Sequence, residues 1–442
     1  MYKIIFLLFL IPSLSFAQQQ LSAAEAVKTA LENNFGIQMA EKQLEIAAKN
    51  NTWSEAGLFP TVTLNATLGN AIQDNSNNPV SFIQTRLLSQ NLNPQLNANW
   101  NIFSGMGIKI SKERLGLLEK QSNGNLMLEI ENTTLDVLKS YYTILLQKEK
   151  LKLISELLEN ASKRLKYISL KEEYGQTNSL EVLQFKNQFL TDSINYIQQE
   201  VNVENAKRNL LLLLNTNNEN DILPSLTDSL TVEINPLKRN AILNGLKSNN
   251  QNLKNQYINL KLQEENTRYA RSFLYPVVSI GAGLSPSWGR VEDLSNPAFQ
   301  SNTEQVNYFA NVSLRYNLFN NWKTKRSVAV AKIQTEVAEL NLEAIKNQLE
   351  VNTNNLFNLY EVRNKLLNLS SENIIYAKKA YNLAKDKFQN GSINSIDLIN
   401  FKNNYTNASI NYLDNLYSRL ELYLELLKTS GNMQLEYDLL QN

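Results

Sequence analysis

The chain has 442 residues, carries 43 Lys and Arg against 42 Asp and Glu, and contains neither Cys nor His. The balanced charge gives no indication of nucleic-acid binding. Without Cys and His the chain cannot build a disulfide, a Ser-His-Asp or Cys-His catalytic group, or a zinc site of the usual ligands. No clustered carboxylate or Ser-Lys pair takes their place, so the sequence predicts a protein without catalytic activity, cofactor or bound metal.

The N-terminal residues 1–17 predict an export signal. Lys3, an apolar run (IIFLLFLIPSL) and small residues at Ser15 and Ala17 are typical of a secretory signal peptide cleaved after Ala17. The apolar run is shorter than the roughly 20 residues that a membrane-spanning helix needs. If the mature chain enters a membrane, we therefore expect it to do so as a closed β-barrel, because lipid offers no partner to free backbone groups.

The rest of the sequence repeats itself at a fixed interval of 216 residues. A fixed period is the sequence signal of a duplicated architecture. The matching positions are Asn33 and Asn249, Phe59 and Tyr275, Pro60 and Pro276, Asn101 and Asn317, Phe103 and Phe319, Gly175 and Gly391, and Glu181 and Asp397. The sequence thus predicts two tandem copies, at residues 18–233 and 234–442.

Each copy is predicted to run helix, strand, long loop, strand, very long helix, tight turn and helix. The first helix is expected to begin near Leu21 with Ser22 as its N-cap, and to end before Pro60. Residues 104–170 contain no proline over 67 positions, which predicts a helix about 100 Å long.

Four segments alternate apolar and polar residues with period two. Apolar side chains fall at even positions, whereas Arg315 shares the odd positions with polar residues. Such alternation is also typical of a half-buried strand in an ordinary sheet. The segments have about 9–10 residues, enough to cross a bilayer when tilted. On that interpretation Arg315 faces a lumen, residues 71–95 form an external loop, and the residues predicted to face lipid are Val62, Leu64, Leu68, Leu96, Trp100, Ile280, Leu314 and Tyr316. Ile102 and Leu318 continue the same apolar alternation.

Four strands are too few to close a barrel, since about eight is the smallest usual number. A chain of this kind therefore has to oligomerise if its strands span a membrane, and three copies give twelve strands.

The long helices carry apolar residues at steps of three and four. The two stripes are Leu151, Ile154, Leu158, Ala161, Leu165 and Ile168, and Ile410, Leu413, Tyr417, Leu420, Leu424 and Leu427. The spacing is typical of a coiled-coil seam. A globular bundle would show the same stripes, but the helix length favours an elongated assembly.

Several stretches together resemble the outer membrane efflux protein family, the TolC-like channels. They are LSAAEAVKTALENNFGIQMAEKQLEIAAKN, WSEAGLFPTVTLNA, WNIFSGMGIKISKER, YGQTNSLEVL and NGSINSIDLI, in that order. The resemblance covers nearly the whole mature chain. It implies a mainly α-helical homotrimer with a twelve-stranded transmembrane β-barrel in the outer membrane and a periplasmic α-helical tunnel.

The same resemblance implies a passive channel of a tripartite efflux or type I secretion system. Such a channel docks on a periplasmic adaptor (membrane fusion) protein and, through it, on an inner-membrane pump. It contacts outer-membrane lipid and has no catalytic activity. The alternative that the residues leave open is a soluble periplasmic helical scaffold or adhesion protein without a membrane barrel.

The resemblance assigns two hairpin tips to adaptor docking. They comprise Tyr174, Gly175, Gln176, Thr177, Asn178 and Ser179, and Asn390, Gly391, Ser392, Ile393, Asn394 and Ser395. A local account also suffices for both sequences, because Gly can end a helix in the left-handed conformation and Ser can cap the next helix.

The resemblance also places Asp397 at a tunnel entrance, where three copies would form a negative ring; Glu181 is its counterpart in the first copy. Alternatively, an acid in the first turn of a helix simply favours the helix dipole. Asn400 stands where the family often has a second acid, which predicts a weaker ring. Phe388 and Ile393 stand where family members have a Tyr and an Arg that link the closed tips, so those links are not expected here.

Overall fold

The computed structural model describes residues 20–216, 223–231 and 236–433. The predicted signal peptide lies outside these ranges. The first half of the chain contains β1 (Gln20–Leu21), α1 (Ala23–Asn33), α2 (Phe35–Asn50), β2 (Thr61–Asp74), β3 (Arg86–Ser104), α3 (Gly107–Glu173) and α4 (Ser179–Leu214). The second half contains β4 (Ser225–Leu226), α5 (Arg239–Asn249), α6 (Gln251–Ser272), β5 (Val277–Asp293), β6 (Asn296–Arg315), α7 (Lys323–Gln389) and α8 (Ser395–Thr429).

The chain divides into two compact units. The described residues of the helical unit are 20–40, 126–216, 223–231, 236–252 and 346–433, and those of the sheet unit are 41–125 and 253–345. The long helices α3 and α7 each have 67 residues. The predicted order of elements is therefore present in both halves.

The predicted first helix is in fact two helices, because Asn34 interrupts it. Asn34 has extended backbone, and its side-chain oxygen accepts a hydrogen bond from the backbone N–H of Gly36 at 2.8 Å. Asn34 also donates to the carbonyl of Leu213, and Asn250 donates in the same way to the carbonyl of Thr429, at 3.3 and 2.9 Å. Both members of the second bond lie 216 positions after those of the first, so the duplication extends to single hydrogen bonds.

The core of the helical unit confirms the apolar stripe predicted on α8. Leu420, Leu424 and Leu427 are buried in one cluster with Leu138 and Tyr141 of α3. The Tyr141 hydroxyl donates to Asp228 at 2.6 Å, and burial raises its pKa far above the ordinary range. Ser22 caps α1 as predicted, in a capping box with Glu25.

The stripe predicted on α3 is mostly half-buried, although its last residue, Ile168, is buried in a second cluster towards the end of the helix.

The sheet unit contains one antiparallel sheet of four strands in the order β2-β3-β5-β6. Residues paired across neighbouring strands share a face, and even positions pair with even positions. One such row is Leu64, Leu96, Leu284 and Tyr308. The predicted separation into an apolar and a polar face is therefore present across all four strands.

The predicted external loops are largely wrong. β2 and β3 remain paired as far as Asp74 and Arg86, so the loop shrinks from residues 71–95 to 75–85. β5 and β6 are joined across Leu294 and Ser295 alone. The Asn-rich composition was the misleading feature, because the ladder is made by backbone groups and continues wherever polar side chains can point into solvent.

Two further details of the strand prediction are corrected. β6 ends at Arg315, so Tyr316 and Leu318 lie beyond the strand. The pairing of β3 with β5 shifts between Asn101 and Phe103. A bulge inserts one unpaired residue, here Ile102, and so places Phe103 opposite Val278 on the apolar face.

Candidate functional site

Both hairpin tips use the same backbone turn to end one long helix and begin the next. Gly175 and Gly391 have φ of 67° and 69°, a left-handed conformation in which a side chain is disfavoured. In the first tip the N–H of Gln176 bonds to the carbonyl of Lys171 at 2.8 Å, and Ser392 bonds in the same way to Lys387 at 2.8 Å. This is the Schellman ending of a helix.

The residue that caps the following helix is Asn in both tips, and the expected Ser caps are wrong. The side-chain oxygen of Asn178 accepts from the N–H of Glu181 at 2.9 Å, and that of Asn394 accepts from the N–H of Asp397 at 2.8 Å. Ser179 and Ser395 are the first helical residues instead. Asn also ranks among the best N-caps, so the sequence allowed either choice.

Asp397 and Glu181 differ in what their carboxylates contact. Glu181 accepts a hydrogen bond from the hydroxyl of Thr177. The position equivalent to Thr177 in the second tip is Ile393, and no described side chain donates to the carboxylate of Asp397. Asp397 is half-exposed and Asn400 is exposed. The carboxylate of Asp397 is therefore available to solvent and ions at this tip.

Phe388 and Ile393 pack into an apolar tip cluster around Leu398 and Phe185. The rings of Phe388 and Phe185 meet edge to face with centroids 5.5 Å apart. These residues cannot make the polar links expected of a Tyr and an Arg. Their side chains hold the two tips together by apolar contact instead.

Two polar contacts that the sequence did not reveal join α4 to α8. The hydroxyl of Ser395 donates to Gln184 at 2.6 Å. Deeper in the unit, Lys402 forms an ion pair with Asp192, and their side chains are only 8% and 7% exposed. Lys402 follows the fully buried Leu398 by one helical turn, so a charged residue at a stripe position was the available signal.

Asp192 has one satisfied and one unsatisfied oxygen. Its Oδ1 accepts from Lys402 and, at 2.9 Å, from Gln188, whereas its buried Oδ2 has no partner among the described residues. The pair borders a cavity of about 530 Å³ whose walls are mainly Asn, Gln and Thr side chains. A cavity of this polarity and size can hold ordered water.

The apolar face of the sheet forms a band along the strands. One edge is the row of Leu68, Leu92 and Trp288, which Glu304 completes on β6, and the next row is polar: Asn70, Gln90, Arg290 and Asn302. The other edge is the row of Val278 and Leu314. From Val278 to Trp288 the band extends about 34 Å along β5 at the usual rise per residue. The opposite face carries mainly Asn, Gln, Ser, Thr and Gly, together with Arg315, and an apolar exception is Phe309, which lies opposite Gly283.

The predicted lipid-facing residues lie on this band wherever they belong to strands. Val62, Leu64 and Leu68 are 63–72% exposed, and Leu314 is 69% exposed. Leu96 and Trp100 are less exposed, and Ile280 is half-buried. An apolar side chain that remains uncovered in one copy of the chain indicates a second environment that covers it.

Exposed apolar stripes also lie on the long helices of the helical unit. On α4 the stripe is Leu180, Leu183, Leu190, Ile194, Ile197 and Val201, and on α7 it is Leu359, Val362, Leu366, Leu369, Tyr376 and Leu383. Successive members are separated by three, four or seven residues, the spacing of a coiled-coil seam. Each stripe is a surface suited to another helix.

Within residues 20–216, 223–231 and 236–433, no helix is both long and apolar enough to cross a membrane. Over the same ranges, no group of three or more carboxylates is arranged to hold a metal ion.

The sequence profile of the outer membrane efflux protein family matches residues 26–216 and 242–432. The two matches are displaced by the same 216 residues as the internal repeat. Among curated proteins, none matches the chain significantly.

Solved structures of bacterial outer membrane channels share this fold. The CmeC channel of Campylobacter jejuni has 17% identity and a TM-score of 0.76, over 93% of this chain and 86% of that chain. The open MtrE channel of Neisseria gonorrhoeae has 19% identity and a TM-score of 0.72, over 93% and 89%. The outer membrane protein VceC of Vibrio cholerae has 13% identity and a TM-score of 0.72, over 92% and 96%.

Proposed function

The chain belongs to the outer membrane efflux protein family, and from this premise we propose that it forms a homotrimeric channel in the outer membrane that conducts substrates passively out of the periplasm. The family is one of outer-membrane channels and not of enzymes. The channel is proposed to work in a tripartite efflux or type I secretion system. A large part of the channel is proposed to lie in the periplasm.

The observation that carries this proposal is the sheet with one apolar and one polar face. Its four strands are too few to close, and its two edge strands, β2 and β6, have unpaired edges. Three copies provide twelve strands, which allows a closed barrel with a polar lumen that includes Arg315. At a strand tilt of 35–45° the apolar band of about 34 Å spans about 24–28 Å, close to the height of the apolar band in outer-membrane barrels.

The exposed stripes on α4 and α7 support assembly from several copies. Ile194, in the middle of the α4 stripe, is 67% exposed, and Leu369 on α7 is 64% exposed. Burying such residues against a neighbouring copy stabilises an assembly by roughly 1.5–3 kcal/mol for each fully covered side chain. Both stripes are therefore proposed to pack against helices of neighbouring copies.

The two tips are proposed to form the periplasmic entrance and the surface that docks the adaptor protein. Three copies of Asp397, whose carboxylates are half-exposed, would form a ring that favours cations at the entrance. Glu181 is the corresponding acid of the first tip, and its hydrogen bond from the neutral Thr177 hydroxyl leaves its negative charge in place. Asn400 is exposed and adds no charge. Phe388 contributes by packing within the tip.

Single-channel recording in a planar bilayer tests the proposal. We expect trimer-sized insertions that conduct, and a cation preference in a salt gradient that falls in Asp397→Asn. Glu173→Gln, a neighbouring exposed acid of the first tip, serves as a matched charge control. Water-soluble, well-folded protein that never inserts would refute the channel and favour a periplasmic scaffold. An unchanged reversal potential in Asp397→Asn channels would show that Asp397 does not form a charged ring at the entrance.

A further inference from the structure

The junctions between the strands and the long helices carry exposed aromatic residues in both copies. At the second junction Phe319 is 65% and Trp322 is 63% exposed, and their rings meet edge to face at 5.0 Å. At the first junction Phe103 and Met106 are exposed at the equivalent positions. Aromatic residues of this kind favour the boundary between hydrocarbon and water, where one side of the ring is apolar and the other is wet.

Cations follow these aromatic residues directly. Lys323, Lys325 and Arg326 occupy the first turn of α7 and are exposed. Lys109 occupies the equivalent of Lys325 in the first turn of α3 and is also exposed. None of the four side chains forms an ion pair or hydrogen bond with the described residues. Nearby Glu113 offers little neutralisation, because Arg268 binds it at 2.9 Å.

Local helix stability does not account for this placement. Cations at the start of a helix oppose its dipole, which favours negative charge there. Three other helices of this chain follow that rule, with Glu25, Glu181 and Asp397 in the first turns of α1, α4 and α8. In contrast, α3 and α7 have no acid in their first turns, a feature they share with α2, α5 and α6, but α7 alone among the eight described helices has three cations there. The helix dipole does not favour three cations within four residues, and their position beside exposed aromatic residues fits an anionic partner outside the chain.

We propose that the aromatic residues Phe319 and Trp322 with Lys323, Lys325 and Arg326 form a binding surface for the phosphate headgroups of anionic glycerophospholipids. Lys109 extends it at the other junction. The inference rests on the proposed function. In that setting the surface lies where the apolar band ends and the helices begin, so it meets the periplasmic leaflet. Basic residues next to an anionic membrane surface attract its lipids, and aromatic rings beside them anchor the protein at the boundary between hydrocarbon and water.

Quenching of Trp322 by brominated lipid measures this contact. A chain with Trp53→Phe, Trp100→Phe and Trp288→Phe keeps Trp322 as its only tryptophan. It is reconstituted as a full-length trimer into vesicles of equal parts phosphatidylglycerol and phosphatidylcholine, with one or the other lipid brominated. We expect the anionic lipid to associate at least about fivefold more strongly, the factor that corresponds to about 1 kcal/mol from a single cation.

Lys323→Gln/Lys325→Gln/Arg326→Gln should abolish that preference and leave channel conductance unchanged. The matched control is Lys120→Gln/Lys254→Gln/Lys261→Gln, which removes the same charge from exposed positions of the sheet unit. Lys120 lies about 20 Å along α3 from the first residue of that helix. The control should keep the full preference.

The outcomes separate this inference from the proposed function. Equal quenching by the two lipids in conducting channels would refute the proposed headgroup-binding surface but not the proposed channel. Loss of the preference in both variants would also overturn it, because net charge alone would then explain the effect. Protein with no channels and no lipid contact would overturn both proposals. If the tryptophan replacements prevent insertion, spin-labelled phosphatidylglycerol and phosphatidylcholine measure the same preference with every tryptophan in place.

Discussion

Replacing Lys402 with Met should weaken the packing of α8 against α4 in the helical unit. Lys402 and Asp192 are each more than nine-tenths buried and are partners in an ion pair. Lys402→Met removes one partner and leaves the carboxylate of Asp192 with Gln188 alone. Met fills much of the same space, so the change acts mainly on charge.

The expected destabilisation is about 3–5 kcal/mol, the usual result of leaving one member of a buried ion pair without its partner. The double variant Asp192→Leu/Lys402→Met should recover most of that loss, because a well-packed apolar pair is often as stable as the ion pair it replaces. The unsatisfied Oδ2 of Asp192 makes recovery larger, since the double variant also removes a buried oxygen without a partner among the described residues.

Hydrogen exchange of the reconstituted trimer measures this effect locally. Peptides from residues 187–197 of α4 and 398–408 of α8 report local opening of the two helices around the ion pair. A loss of 3–5 kcal/mol raises the exchange rate of protected amides there by roughly 10²- to 10³-fold or more. Peptides of β5 should exchange as in the parent chain.

The matched control is Lys186→Met, because Lys186 is the repeat equivalent of Lys402 and is exposed. Its helix should exchange as in the parent protein. If Lys402→Met and Lys186→Met gave the same exchange, the ion pair would contribute nothing measurable, and the reasoning from burial would be wrong.

Three further predictions concern the sheet, the tip and the core. Leu64→Arg should destabilise the membrane-inserted barrel by about 2–4 kcal/mol per copy if Leu64 lies near the bilayer midplane. It should therefore lower the trimer yield in a native gel, whereas Asn65→Arg on the polar face should leave that yield unchanged. Gly391→Val should weaken the tip and adaptor pull-down, because Val must adopt φ of 69° there; normal pull-down would argue against that contact, and Ser392→Val is the control with ordinary backbone. Burial lowers the pKa of Lys139, but its bonds to two carboxylates of α8 outweigh that effect and raise the pKa above its ordinary value of 10.5. Its contribution to stability is therefore complete below about pH 10.5 and is lost as the pH rises through the higher folded-state pKa; thermal unfolding followed by circular dichroism should show the deficit of Lys139→Gln shrinking only above that pH.

Much of the fold could be predicted because it depends on local periodicity. The interval of 216 residues located both copies. Even and odd positions separated the apolar from the polar face along most of each strand, because side chains alternate with a period of two. Exceptions include Phe103, which the bulge moves to the apolar face, and Phe309 on the polar face. The left-handed glycines of the tips were likewise readable, because few other residues adopt that conformation.

Strand ends and helix breaks were less readable. The strands continue through Asn-rich stretches because backbone hydrogen bonds do not require apolar side chains. Asn34 breaks the first helix because its side chain competes for backbone N–H groups. Asn in this chain therefore occurs as a strand residue, a helix breaker and a helix cap, and its type alone does not decide among them.

The sequence by itself determined the duplication, the order of the elements and the face that most strand residues present, because a fixed repeat interval and short-range periodicity carry that information. Only the tertiary structure decided which charges meet. Asp192 and Lys402 are 210 positions apart, and the repeat equivalent of Lys402 is an exposed lysine with no such partner in the described part of the chain. An ion pair between two helices depends on which of their faces are brought together and on how deeply both charges are buried. Those quantities are set by packing across the whole unit and not by the residues on either side of each charge.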